Sequence, residues 1–166
     1  MFMAMNVALS SFGVPVPGGH LYLNDIVICT AAILLDPFSA FLAGGVGAFL
    51  GDLLFYPTPM FVSLVTHGLQ AAVISIMAHR CFPERPKLAA SLGVTVGAII
   101  MVTGYTLGRA FIYGTPEAAI LKLPYQLLQA AVGAVVSVFL SFRCGLRRLF
   151  QRLMKKEGVK QDLHRK

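Results

Sequence analysis

Three stretches of the chain, near 60–79, 88–113 and 118–142, run for 20 residues or more with at most one Lys, Arg, Asp or Glu each. An α-helix rises 1.5 Å per residue, so about 20 apolar residues cross the ~30 Å hydrocarbon core of a bilayer. Irregular backbone cannot lie there, because its N–H and C=O groups would go unpaired. These stretches therefore predict transmembrane helices. A fourth, 38–56, is slightly short. Segment 26–35 is shorter still and ends at Asp36-Pro37, where one helix must stop and the next can begin. Segment 2–12 reaches about half of the core. It carries no small-residue cleavage site and reads as part of the bundle, not as a removable leader. The predicted fold class is all-α: an integral membrane bundle of six hydrophobic helices, the first one short.

Charge sets the orientation. Only 13% of residues are charged, against about 25% in soluble domains. Of the 14 Lys and Arg, all but Arg109 and Lys122, hence 12, lie in 80–87 or from Arg143 onward. The loops 13–23, 57–59 and 114–117 contain none. Basic residues stay on the cytoplasmic side, so both termini are expected there. The chain divides into a six-helix transmembrane domain, 1–142, and a basic cytoplasmic tail, 143–166. The net charge of +7 comes from that tail. It reads as an anchor at the anionic lipid bilayer and not as a nucleic-acid arm. Cys29, Cys81 and Cys144 are scattered and predict neither a disulfide framework nor a metal site.

Small residues recur at helix-packing spacing in Gly47/Gly51, Gly93/Gly97 and Gly104/Gly108, which lets backbones approach closely. Ala4 and Ala8 repeat the spacing in the first segment.

The polar residues within the apolar runs carry the functional signal, since such groups are costly in a membrane and face a partner or a cavity. Asp52 and Tyr56 lie at i, i+4. His67 and Gln70 lie at i, i+3. Tyr105, Arg109 and Tyr113 are spaced by four. Lys122, Gln126 and Gln129 share a face beside Tyr125, and the loop before the second helix adds His20, Tyr22, Asn24 and Asp25. All fall in the outer half of the predicted bundle. They describe a pocket open to the outside, although Tyr113 and Lys122 could equally snorkel to the interface. Tyrosine faces, carboxamides and charges of both signs suit a small, flat, polar heteroaromatic ligand better than a sugar, a metal ion or a lipid. No Walker loop, HExxH or GxSxG motif is present, so neither a cofactor nor catalysis is expected. A transport pathway needs a polar route through the inner half, and six short helices barely provide one, which predicts a binding protein that relies on other subunits for movement. Three other readings remain open: a stand-alone solute carrier, a ligand-free structural or assembly protein, and a membrane enzyme using His67 and Asp52.

The run Gly18-Gly-His-Leu-Tyr-Leu-Asn-Asp25, then an apolar helix, Asp36-Pro37, and Leu42-Ala-Gly-Gly-Val-Gly-Ala-Phe-Leu-Gly-Asp52 resembles the substrate-binding S components of energy-coupling factor (ECF) transporters. Leu123-Pro-Tyr-Gln-Leu-Leu-Gln129 followed by Gly133 is similar to the family's Pro-x-x-x-x-Gln start of the last helix. The nearest branch includes riboflavin, pyridoxine and hydroxymethylpyrimidine uptake proteins. The resemblance implies a six-helix subunit of a bacterial cell membrane that captures a vitamin-like solute. It implies as partners a transmembrane coupling subunit, contacted through Ala4 and Ala8, and two cytoplasmic ATPases. A vitamin B6 form or hydroxymethylpyrimidine is favoured, with riboflavin next. Two departures stand out: the first helix is shorter than usual, and Asn24 stands where relatives often have Gly.

Overall fold

A computed structural model describes residues 1–17 and 19–164, with the side chains of 156–164 excluded. Gly18 of the resemblance motif and the last two residues of the basic tail lie outside the described residues. Helix α1 spans Phe2–Ser10 and α2 spans Asn24–Leu34. Four helices are long and apolar enough to cross a membrane: α3 (Pro37–Phe55), α4 (Met60–Arg80), α5 (Pro86–Tyr113) and α6 (Pro116–Arg143). A final helix, α7, covers Leu146–His164.

Two expectations need correction. The chain is not purely helical: strands β1 (Val14–Val16) and β2 (Gly19–Leu21) form an antiparallel hairpin with Val14 opposite Leu21 and Val16 opposite Gly19. Pro15 sits on this two-stranded ribbon, where a missing N–H is tolerated at an edge. The prolines and glycines of 13–23 otherwise read as loop. The helix count also differs, because the tail forms a seventh helix rich in Arg and Lys.

Helix α2 is only 11 residues long, about 16 Å. It does not lie against lipid. Every residue from Val27 to Leu34 is buried, enclosed by α1, α4 and α6. That burial on all sides explains its unbroken apolar run. Asp36 ends the connection by capping α3, its Oδ1 accepting from the Phe38 and Ser39 N–H groups at 3.1 Å, with Pro37 in the first turn. The Ser39 side chain, and then these backbone bonds, hold the Asp36 carboxyl below the usual carboxylate range.

The glycine pairs serve packing within the chain. A Cβ at Gly97 would meet Ile74 of α4, and Cβ atoms at Gly104 and Gly108 would meet Thr66 and Val62 of the same helix. Gly47 and Gly51 receive α1 through Asn6 and Ser10. Helix α3 widens into a π-helical turn at Leu42–Val46. Asn6 is fully buried, and its Nδ2 donates to the carbonyls of Ala43 at 2.9 Å and Gly44 at 3.1 Å in that turn. The outer surface is apolar: Phe111, Ile112, Phe38, Ile120 and Val135 are all about 70% exposed or more. Such a belt is suited to lipid, not to water.

Candidate functional site: an aromatic-lined cavity at one end of the bundle

The π-helical turn Arg109–Tyr113 ends α5, and α6 starts at Pro116 after a short loop. At this end of the bundle lies a cavity of about 50 Å³. Ten of the predicted residues line it: His20, Tyr22, Asn24, Asp52, Tyr56, His67, Tyr105, Arg109, Gln126 and Gln129. They come from the hairpin and its exit, α2, α3 and its C-terminal edge, α4, α5 and α6. Tyr113 and Lys122 line it too. Lys122 does not snorkel outward: it is 3% exposed and donates its ammonium to the His20 carbonyl.

Asp25 and Tyr125 stand apart from the lining. Asp25 lies 1% exposed beneath the cavity, where its carboxylate accepts from Gln70 Nε2 at 3.0 Å and Gln129 Nε2 at 2.5 Å. Its backbone approach depends on Gly133, where a Cβ would come within 2.7 Å of the Asp25 Cβ. Tyr125 is half-buried on α6, one residue before the cavity-facing Gln126. Ala4 and Ala8 are exposed on α1, on the side away from the buried Asn6 and Ser10.

The polar floor is continuous. Gln70 Oε1 can only accept, so the 2.7 Å contact places the proton of His67 on Nδ1. The second nitrogen, Nε2, is then an acceptor in the neutral ring. The His67 ring packs against Tyr105, with centroids 5.2 Å apart. Tyr105 donates its hydroxyl to Ser63 Oγ at 2.5 Å, and Ser63 donates in turn to Asp52 Oδ2. Ser63 was not singled out in the sequence, where one serine among apolar residues resembles any packed hydroxyl.

The hairpin closes the top. Tyr22 donates its backbone N–H to Gln129 Oε1 at 3.0 Å. The His20 ring meets Tyr56 edge-on at 5.8 Å and Tyr22 at 6.1 Å. The Arg109 guanidinium lies 5.2 Å from the Tyr113 ring centroid and packs against Gly19, whose φ of +146° disfavours a side chain. Burial, and then the neighbouring Asp52, push the Tyr22 phenol up to about 12. Two lining residues were missed by sequence reasoning, Pro59 and Met101. Met101 continues the stripe Tyr105, Arg109, Tyr113 one step inward at the same spacing, so extending the period would have found it.

Around the wall the bonding is incomplete. His20 Nδ1, Asn24 Oδ1, Tyr113 OH and Gln126 Oε1 are buried with no hydrogen-bond partner. Buried polar atoms are nearly always paired. Four unpaired ones on residues lining one small cavity are a local concentration of unmet bonding.

Comparison with known proteins agrees with this architecture. The family described as "ECF-type riboflavin transporter, S component" matches residues 1–145. An "Uncharacterized protein in gap 3'region" of Pyrococcus woesei is 30% identical over 135 residues, 80% of this chain and 88% of that protein. The family is one of transporter subunits and not of enzymes. The chain is a membrane-embedded, multi-pass protein that belongs to the S-component family of ECF-type riboflavin transporters, the substrate-binding subunits of vitamin uptake.

Proposed function

We propose that this protein captures a small, flat heteroaromatic vitamin or vitamin precursor in the cavity beneath the hairpin, and delivers it through a coupling subunit driven by two cytoplasmic ATPases. The observation that carries the reading is the set of four unpartnered polar atoms on the cavity wall. A ring nitrogen, an amide oxygen, a phenol and a carboxamide oxygen offer acceptors and a donor to the edge of a heteroaromatic ring. Tyr105, Tyr22 and Tyr56 offer faces for stacking. Asp25 acts from below, holding Gln129 toward the site, and Tyr125 acts at its rim. The basic side of the chain, with both termini, faces the cytoplasm, and the cavity faces outward. Residues 1–142 form the binding domain and 143–166 the cytoplasmic tail.

Size favours a single ring. A cavity of about 50 Å³ is far below the ~300 Å³ at which ligand sites begin. Entry of any vitamin must therefore displace the hairpin, and a single-ring ligand needs the least displacement. Pyridoxine or another B6 form, or hydroxymethylpyrimidine, is the leading ligand. Riboflavin is the second reading, favoured by the family description. Mass spectrometry of small molecules released from the purified protein, followed by calorimetric titration, decides between them. Failure of every B-vitamin and precursor to bind would defeat the ligand class.

Ala4 and Ala8 provide the contact with the coupling subunit. Both are exposed, so Trp at these positions leaves the bundle packed but holds a neighbouring helix away. The double variant should lose uptake in cells and keep its ligand affinity. Unimpaired uptake would remove this role.

A further inference from the structure

At the far end of α5 and α6 from the cavity, a pocket of about 380 Å³ is lined by Pro86, Lys87, Ser141, Phe142, Arg147 and Arg148, among others. We propose that it is a binding site for a phosphate group, as an anionic phospholipid headgroup or a soluble phosphate.

Three independent features converge on it. The first is charge. Lys87 comes from α5, and Arg147 and Arg148 come from α7. None of the three pairs with a carboxylate among the described residues. The closest acid along the chain, Glu84, lines a separate pocket with Phe82 and Arg85. The second is the start of α5, a 28-residue helix opening at Pro86 with no side chain capping it. Its N-terminal N–H groups and dipole favour an anion. The third is Ser141, which is 1% exposed and has an Oγ without a hydrogen-bond partner. Ser141 sits in the π-helical turn Phe139–Arg143. A helical serine usually bonds a carbonyl of the preceding turn, and this one does not, so its hydroxyl is available to a phosphate oxygen.

Local geometry holds the pocket open on one side. Gly145, at φ +72°, makes the turn between α6 and α7, and nothing lies within 4 Å of where its Cβ would be. Arg147 lies over the Phe142 ring at 5.5 Å, which orients its guanidinium beside the pocket. A phosphate bridging Lys87, Arg147 and Ser141 would tie the tail helix to the bundle. Arginine, lysine, hydroxyl and helix N-terminus together are the donor set phosphate recognition uses.

The test uses the full chain in nanodiscs of zwitterionic phosphatidylcholine with or without phosphatidylglycerol. Native mass spectrometry reads retained lipid, and phosphorus NMR line broadening reads binding of inorganic phosphate. The parent should retain phosphatidylglycerol selectively, or broaden the phosphate signal. Ser141→Ala should weaken that binding several-fold, and Lys87→Gln with Arg147→Gln by about tenfold or more. Arg152→Gln, which removes a tail charge outside the pocket, should change it little. A lipid response alone identifies the headgroup, and a response to inorganic phosphate with the same variant pattern identifies a soluble phosphate. Circular dichroism melts confirm that each variant is folded. Equal binding by all variants, lipid retention indifferent to headgroup charge, or no binding of either probe would overturn the site.

Discussion

The floor of the cavity and its wall share carboxamide, imidazole and phenol side chains, and the floor adds the carboxylates of Asp25 and Asp52. On the floor the carboxylates, carboxamides and hydroxyls bond to one another. Asp25 accepts from Gln70 and Gln129, Gln70 accepts from His67, and Tyr105 feeds Ser63 and then Asp52. On the wall, His20, Asn24, Tyr113 and Gln126 each keep an unpaired buried atom. A satisfied polar network in a low-dielectric interior is rigid, while an unsatisfied one costs stability until something completes it. The floor therefore contributes to the fold, and under the proposed function the wall is the layer that a ligand completes. Substitutions in the two layers should fail in different ways.

The largest effect is expected at Asp25. Asp25→Ala strands two buried amide donors, on Gln70 and Gln129, each at about 1–3 kcal/mol. Stability should fall by about 2–6 kcal/mol, read as an earlier unfolding transition in detergent. Ligand affinity should fall with it, because Gln129 also holds Tyr22 of the hairpin. A variant that unfolds like the parent would merge the two layers into one.

Gln126→Ala sharpens the contrast. It removes an acceptor that has no partner within the protein, so no hydrogen bond is broken and stability should fall by less than for Asp25→Ala. Affinity for the true ligand should drop roughly 5- to 150-fold, the equivalent of about 1–3 kcal/mol for one lost buried contact. Calorimetric titration beside a thermal melt measures both. A stability loss without an affinity loss would move Gln126 into the floor.

Outside both layers, Asp36→Ala removes the cap of α3. Its two backbone bonds are ordinary and solvent-exposed, so the expected cost is about 1 kcal/mol with ligand binding unchanged. An affinity change here would show that the cavity senses the opposite end of α3.

How much of this was legible depends on periodicity. The stripe Tyr105, Arg109, Tyr113 and the face of Lys122, Gln126 and Gln129 stand out because a helix repeats every 3.6 residues, so spacing alone places them together. Asp52 and His67 stand out because ionisable residues in apolar runs are costly. The hairpin was not legible, since Pro15, Pro17 and three nearby glycines hide a three-residue strand pair that tertiary contacts with Lys122 and Gln129 hold in place. The separation of Asp25 from the cavity was equally hidden. Its position one residue after Asn24 suggests a shared role, yet successive residues of a helix point about 100° apart, so Asn24 reaches the wall and Asp25 the floor. The depth of Lys122 also escaped, because a lysine's flexible stem allows either direction and only the His20 carbonyl selects one.

Tyr22 links the layers and gives the smallest effect, confined to alkaline solution. Its phenol is half-buried at the cavity, and burial together with Asp52 raises its pKa from 10.0 to about 12. Below pH 10 both the folded and the unfolded chain keep the proton, and the stability contribution is fully present. Between pH 10 and 12 the unfolded chain releases the proton while the folded chain holds it, so stability is lost as pH rises through the folded value. The unfolding temperature of the parent should therefore decline over this window more steeply than that of Tyr22→Phe, and the two should run parallel below pH 9. Ligand that seals the hairpin onto the cavity deepens the burial, so it should carry the ultraviolet titration of Tyr22, taken as the difference between parent and variant, to still higher pH. Parallel melting curves from pH 9 to 12 would place the phenol in water, and the hairpin would no longer close the wall.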